Sequence, residues 1–204
     1  MTKILYLVRH GLTDWNVQSR MQGHSNIPLN DTGRAQARTL QDFFAAHPVD
    51  HIFSSDLDRA HQTIDIGTAR MPGRPPIQKL KELREVNLGA VEGITREQIQ
   101  EKYGEESWEQ WTSLKPHANF AYPGGETHQE SLDRSLKVFK HIFENHEFRT
   151  AVACTHGLLI RRLAHHLQPE RLDLLPIPNC GVFELRSEQG RLVFDGPIFR
   201  PEEI

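Results

Sequence analysis

Three short segments carry residues whose types and neighbours suit joint chemistry. In Arg9-His10-Gly11 an imidazole follows an apolar run and sits beside a guanidinium, a planar five-donor fork that matches phosphate or carboxylate. In Ser54-Ser55-Asp56-Leu57-Asp58-Arg59-Ala60, polar capping residues precede an arginine in the first turn of the helix they announce. A cation there opposes the helix dipole, so an anion bound at that end gives Arg59 a physical reason. His156-Gly157 repeats the order of apolar run, histidine, glycine and helix start, a second anion-facing element built from an imidazole and backbone N–H groups. Each segment alone has a plainer explanation: a polar residue where a strand meets water, a surface arginine, an exposed first residue of a helix.

Glu85, in Leu83-Arg84-Glu85-Val86-Asn87-Leu88-Gly89, has apolar flanks. Such surroundings let a carboxylic acid stay protonated and act as a proton donor, although a solvated glutamate is the simpler alternative. Taken together, the residues describe one reaction better than any other, transfer of a phosphoryl group to a nitrogen of His10. Arginines and a second histidine would hold charge on the phosphoryl oxygens during in-line displacement, and neither a metal nor another cofactor is expected. Arg9 and Arg59 would keep the imidazole neutral, and its second nitrogen must then donate to a carbonyl. The other ten of the 12 histidines follow no ligand spacing.

These residues need a scaffold that brings distant segments together. Residues 3–8 form a continuous apolar run with β-branched and aromatic members, the pattern of a strand buried on both faces, and Gly11 lets the chain turn sharply after it. Asn30 or Asp31 caps a helix in which Ala37, Leu40 and Phe44 recur at i, i+3 and i+7, ending near Ala46. Residues 51–53 read as a second strand, and Ser54-Ser55-Asp56 as caps of a helix with Ala60 and Ile64 inside. The stretch 71–76 is a turn. Thr127 and Glu130 make a capping-box signature before the stripe Leu132, Leu136, Phe139 and Phe143, which ends near Asn145. Residues 150–154 are another buried strand, leading into a helix through Leu159, Leu163 and Leu167, and 181–185 with 191–194 form a closing hairpin.

From Ile77 to Gly125 the pattern loosens. Ile99 with Tyr103 and Trp108 with Trp111 keep helical spacing, while 115–125 reads as a loop. Residues 86–125 are expected to be a cap or insertion over one end of the sheet, within one domain spanning 1–204. Trp108, Trp111, Phe120 and Tyr122 are expected to pack rather than to line a leaving-group pocket. Strands alternating with helices predict an α/β layered fold, whose ligands bind outside the carboxyl ends of the strands. Arg9-His10 and His156 both fall at such an end.

Composition agrees with this class. A chain of 204 residues, with 24 Lys+Arg against 27 Asp+Glu and a net charge of −3, has no basic excess pointing to nucleic acid. The opening apolar run is too short for a signal peptide or a membrane span, and two cysteines are too few for a disulfide framework. A cytoplasmic protein with no membrane or nucleic-acid partner is therefore expected, its oligomeric state open.

The ordered set Arg9-His10-Gly11-Leu12-Thr13-Asp14-Trp15-Asn16, Gln22-Gly23, Ser54-Ser55-Asp56-Leu57 with Arg59-Ala60 and Gln62-Thr63, Leu83-Arg84-Glu85, Glu92-Gly93, Pro123-Gly124-Gly125-Glu126 and His156-Gly157 resembles the histidine phosphatase superfamily, in the branch with phosphoglycerate mutases and small broad-specificity phosphatases. The resemblance implies a three-layer α/β/α sandwich with a mixed, mostly parallel sheet. It implies that His10 becomes phosphohistidine, that Arg9, Arg59 and His156 bind the phosphoryl group, and that Asn16, Gln22, Gly23 and Gly157 line the same pocket. Glu85 would protonate the leaving oxygen and then activate water. Leu12 departs from the glutamate of many relatives, and Thr127 from their serine. The short middle segment favours a phosphatase of small phosphomonoesters over the alternative, a cofactor-dependent phosphoglycerate mutase. A second alternative is a non-catalytic phosphoester-binding module, which needs neither His10 nor Glu85.

Overall fold

Alternation along the first strand sets the layering. In the computed structural model, which describes residues 2–113, 119–171 and 173–201, Leu5 and Leu7 of β1 (Lys3–Arg9) enter one core while Tyr6 and Val8 enter another. The chain continues through α1 (Asp14–Val17), α2 (Asp31–Ala46), β2 (His51–Ser54), α3 (Asp58–Gly67) and β3 (Ile77–Lys79). Two short 3-10 turns, α4 (Arg96–Tyr103) and α5 (Glu105–Thr112) follow. The remainder is α6 (His128–Asn145), β4 (Thr150–Thr155), α7 (Gly157–Leu167) and the hairpin of β5 (Val182–Glu188) and β6 (Arg191–Phe199).

The described strands form one sheet in the order β3-β2-β4-β1-β5-β6. Pairs β2–β3, β2–β4 and β1–β4 are parallel, whereas β1–β5 and β5–β6 are antiparallel. On one face Val138, Phe139 and Ile142 of α6 and Leu159, Ile160 and Leu163 of α7 pack on Leu5, Leu7, Phe53 and Ala153. On the other, Ala37, Leu40 and Phe44 of α2 and Ala60 and Ile64 of α3 pack on Tyr6, Val8, Ile52 and Val152. The result is the α/β layering that the alternation of elements predicts, in the mixed three-layer α/β/α form that the family resemblance implies.

The caps are instructive. Asn30 Oδ1 accepts the Gly33 N–H at 2.8 Å, and Thr127 and Glu130 exchange the two bonds of a capping box, as expected at the starts of α2 and α6. The expected capping of α3 by Ser54-Ser55-Asp56 does not occur. Leu57 is the N-cap residue and makes no side-chain cap, because Ser55 turns to His156 and Asp56 pairs with Arg84. Gly11 also has a packing reason: a Cβ there would lie 2.6 Å from the Gly33 carbonyl oxygen, so the residue allows α2 to dock closely.

Helix α1 and strand β3 carry too few residues for any periodicity and were not expected. Val86, Leu88, Val91, Ile99 and Tyr122 bury one another in a third cluster, with Trp108, Trp111 and Phe120 packed against it. The expected 115–125 loop falls partly on residues 115–118, outside the described residues. Phe139 is fully buried between α6 and the sheet. Phe139→Ala should therefore cost about 3–5 kcal/mol in urea unfolding, and a loss below ~1 kcal/mol would contradict this packing.

Candidate active site

Parallel pairing brings the chemistry to one edge. Arg9 of β1 lies opposite Thr155 of β4, and Ser54 of β2 opposite Cys154, so the chain leaves all three strands at the same end. His10, Ser55 and His156 are the next residues. Arg9, His10, Asn16, Gln22, Gly23, Arg59 and Glu85 line one cavity there, of about 150 Å³.

His10 is 3% exposed, and its Nδ1 lies 2.7 Å from the Gly11 carbonyl oxygen. A carbonyl only accepts, so Nδ1 carries the proton and a neutral ring keeps its lone pair on Nε2. Burial first, then the charges of Arg59 and Arg9, hold the imidazole well below its ordinary range, against the opposing Gly11 bond.

The arginines are unusual in what they lack. Arg59 is fully buried, and its Nη1 and Nη2 donate to the Ser25 and Gly23 carbonyls, each at 2.7 Å. Arg9 donates through Nη1 to the Ile177 carbonyl. Among the described residues neither forms an ion pair, and the Nε of each is buried without a partner. Burial lowers both to about 10, which leaves them cationic at neutral pH. Two unpaired buried cations are costly unless an anion joins them.

Glu85 departs from expectation. Its apolar flanks, Val86 and Leu88, turn into the third cluster, while its carboxyl accepts the backbone N–H groups of Val86, Leu158 and Leu159 at 3.0, 3.1 and 2.9 Å. The first turn of α7 spends two of these donors on Glu85 rather than on an outside anion. His156 sits behind the cavity instead of lining it. Fully buried, it places Nε2 2.9 Å from Ser55 Oγ, has its ring centroid 5.2 Å from that of His10, and leaves Nδ1 without a partner. Gly157 does not line the cavity either. A Cβ there would come within 3.0 Å of Arg9 Nε, so its smallness leaves room for that guanidinium. Asn16 caps α1 with Thr13, its Oδ1 accepting the Thr13 N–H and hydroxyl, and Gln22 has its buried Oε1 unpartnered.

A family model of the histidine phosphatase superfamily (branch 1) matches residues 5–196. The chain belongs to the histidine phosphatase superfamily. It is 31% identical to phosphoglycerate mutase-like protein 4 of Arabidopsis thaliana, over 94% of this chain and 80% of that protein. It is 32% identical to the 2,3-bisphosphoglycerate-dependent phosphoglycerate mutase 2 of Gloeobacter violaceus, over 87% and 82%. The mycobacterial glucosyl-3-phosphoglycerate phosphatase superposes with a TM-score of 0.80 at 28% identity, covering 95% of this chain and 98% of that one.

Several residues of this superfamily member escaped the sequence reading. Glu92 Oε1 accepts the His24 N–H, and its Oε2 accepts the Ser25 N–H and hydroxyl, which fixes the loop whose carbonyls receive Arg59. Gly23, at φ +52°, permits this turn, and a Cβ there would strike the Glu92 carboxylate. Arg134 pairs with Glu126 and donates to the carbonyls of Glu82, Arg84 and Glu85. Arg20 and Leu158 also line the cavity, and so, against the expectation that it would only pack, does Trp111, which lies against the third cluster as well. Only the Glu92-Gly93 and Gly125-Glu126 pairs left a sequence signal, and only through the family motif. Among the described residues no three His, Cys, Asp or Glu side chains group to hold a metal ion, and no helix is long and apolar enough to cross a membrane.

The imidazoles of His10 and His156 both lie well below their ordinary range, which sets the sign of their pH effect. Their contribution to stability is complete above the unfolded-state value of ~6.5 and is lost as pH falls toward the folded-state values. In a ¹⁵N NMR titration the His10 ring should stay unprotonated as pH falls through ~6.5. A midpoint near that value would contradict the geometry.

Proposed function

We propose that this protein is a metal-independent phosphomonoesterase that acts on small phosphorylated metabolites through a phosphohistidine intermediate. One observation carries the reading: a neutral imidazole with its lone pair on Nε2 adjoins two buried arginines that form no ion pair among the described residues. A phosphoryl dianion supplies the missing charge and the electrophile together.

In the first step the His10 Nε2 lone pair forms a bond to phosphorus while the bond to the leaving oxygen breaks, and that oxygen takes a proton from Glu85. In the second, water attacks phosphorus, the P–N bond breaks, and the Glu85 carboxylate takes the proton from water. Arg9 and Arg59 hold the transferred oxygens in both steps. Ser55 Oγ accepts the Leu57 N–H at 3.3 Å, leaving its own hydrogen for His156 Nε2 and an N–H on Nδ1 as a further donor to the phosphoryl group. Asn16, Gln22 and Gly23 complete the pocket in this reading, and Gly157 serves it by leaving room for Arg9. Residues 86–125 serve as a cap within a single domain. Two free, buried thiols suit the reducing cytoplasm, where we place the protein.

Purified protein should release phosphate from an aryl phosphate in the presence of EDTA, and His10→Gln should lower kcat by on the order of 10³-fold or more. Full activity in that variant would overturn the assignment. Rapid interconversion of 2- and 3-phosphoglycerate that requires a bisphosphorylated primer would identify a mutase instead.

A further inference from the structure

The Gly11 carbonyl that takes the His10 Nδ1 hydrogen belongs to one of two consecutive peptide units that are held from outside the cavity. In the first unit, between His10 and Gly11, the carbonyl accepts a hydrogen bond from Asn179 Nδ2 at 2.8 Å, and the N–H donates to Thr63 Oγ1 at 2.9 Å. In the second, between Gly11 and Leu12, the carbonyl faces the imidazole and the N–H donates to Gln36 Oε1 at 2.9 Å. An N–H only donates, so Gln36 must present its oxygen there. None of these three side chains lines the cavity. Gly33, one turn before Gln36 on α2, provides the seat. A Cβ there would lie 2.7 Å from the Leu12 nitrogen, so the chain at Leu12 rests on the helix itself. Thr63, fully buried on α3, also donates to the Arg59 carbonyl at 2.6 Å, which ties the peptide of His10 to the turn that carries Arg59.

A peptide whose N–H already donates is a stronger acceptor at its carbonyl, because hydrogen bonds in a chain polarise one another. We propose that Gln36 is a positioning residue for the nucleophile. Through the Leu12 N–H it orients and polarises the Gly11 carbonyl, which keeps the proton on His10 Nδ1 and the lone pair on Nε2, while Thr63 and Asn179 fix the preceding peptide. As the P–N bond forms, positive charge develops on the ring, and the polarised carbonyl faces that charge. Gln36 therefore acts on the chemical step rather than on substrate binding. Its effect on rate rests on the phosphomonoesterase reading; its effect on the tautomer does not.

Gln36→Met keeps the length of the side chain and removes the acceptor. It should lower kcat for an aryl phosphate by on the order of 3–10-fold, with KM within about twofold of the starting value. Gln36→Glu, which restores an oxygen, should recover most of that loss. In ¹⁵N NMR without substrate, His10 should carry its proton on Nδ1 in the unsubstituted protein and in Gln36→Glu, and a share of the Nε2–H tautomer should appear in Gln36→Met. Gln36 is half-buried, and circular dichroism checks that each variant is folded; if Gln36→Met is not, the same readings are made on Gln36→Ala. An unchanged tautomer in the folded variant without the acceptor, or equal losses of kcat with and without the restored oxygen, would overturn the proposal. Failure of the phosphatase reading is distinct: neither the unsubstituted protein nor any variant would turn over aryl phosphate, while the change of tautomer would persist.

Discussion

The site depends on positive charge that the protein buries without pairing it to a carboxylate among the described residues. Arg9 and Arg59 reach the cavity from a strand end and a helix start, and their bonds to backbone carbonyls orient them without cancelling their charge. Burial first, and then the same charge, holds the His10 imidazole neutral, and the Gly11 carbonyl decides which nitrogen keeps the lone pair. In the proposed reaction, anion affinity and activation of the nucleophile both draw on this charge.

Holding such an arrangement takes support from residues that face away from the cavity. Glu92 fixes the loop whose carbonyls receive Arg59, and the Arg134–Glu126 pair fixes the segment that carries Glu85. Glu126 also accepts the Asn87 N–H at 2.8 Å, which ties that segment to the start of α6. The N-terminus of α7 supplies the last constraint by donating two N–H groups to the Glu85 carboxyl. A misplacement in any of these ties would reach the reacting atoms.

What was legible in the sequence was local. The run 3–8, the stripe of α2 and the Thr127–Glu130 capping box declare themselves within a few residues, since strand alternation, helix periodicity and caps are short-range effects. Arg9 and His10 were legible for the same reason, as polar residues at the abrupt end of an apolar run. The partners were not. Glu85 finds its donors 73 and 74 residues away, and Ser55 meets His156 across 101 residues, so no local pattern records either bond. The apolar flanks of Glu85 misled because the flanking side chains and the carboxyl point to different surroundings. Likewise the Ser54-Ser55-Asp56 run looked like a helix cap, yet its polar groups serve tertiary contacts.

The central claim is that the neutral Nε2 of His10 is the atom that takes the phosphoryl group. It is tested most directly by mixing the protein with an aryl phosphate, quenching in base within one turnover, and locating the bound phosphate by mass spectrometry. The account predicts an acid-labile, base-stable phosphate on His10 alone. Phosphate on another residue, or full turnover through a protein that is never phosphorylated, would contradict it.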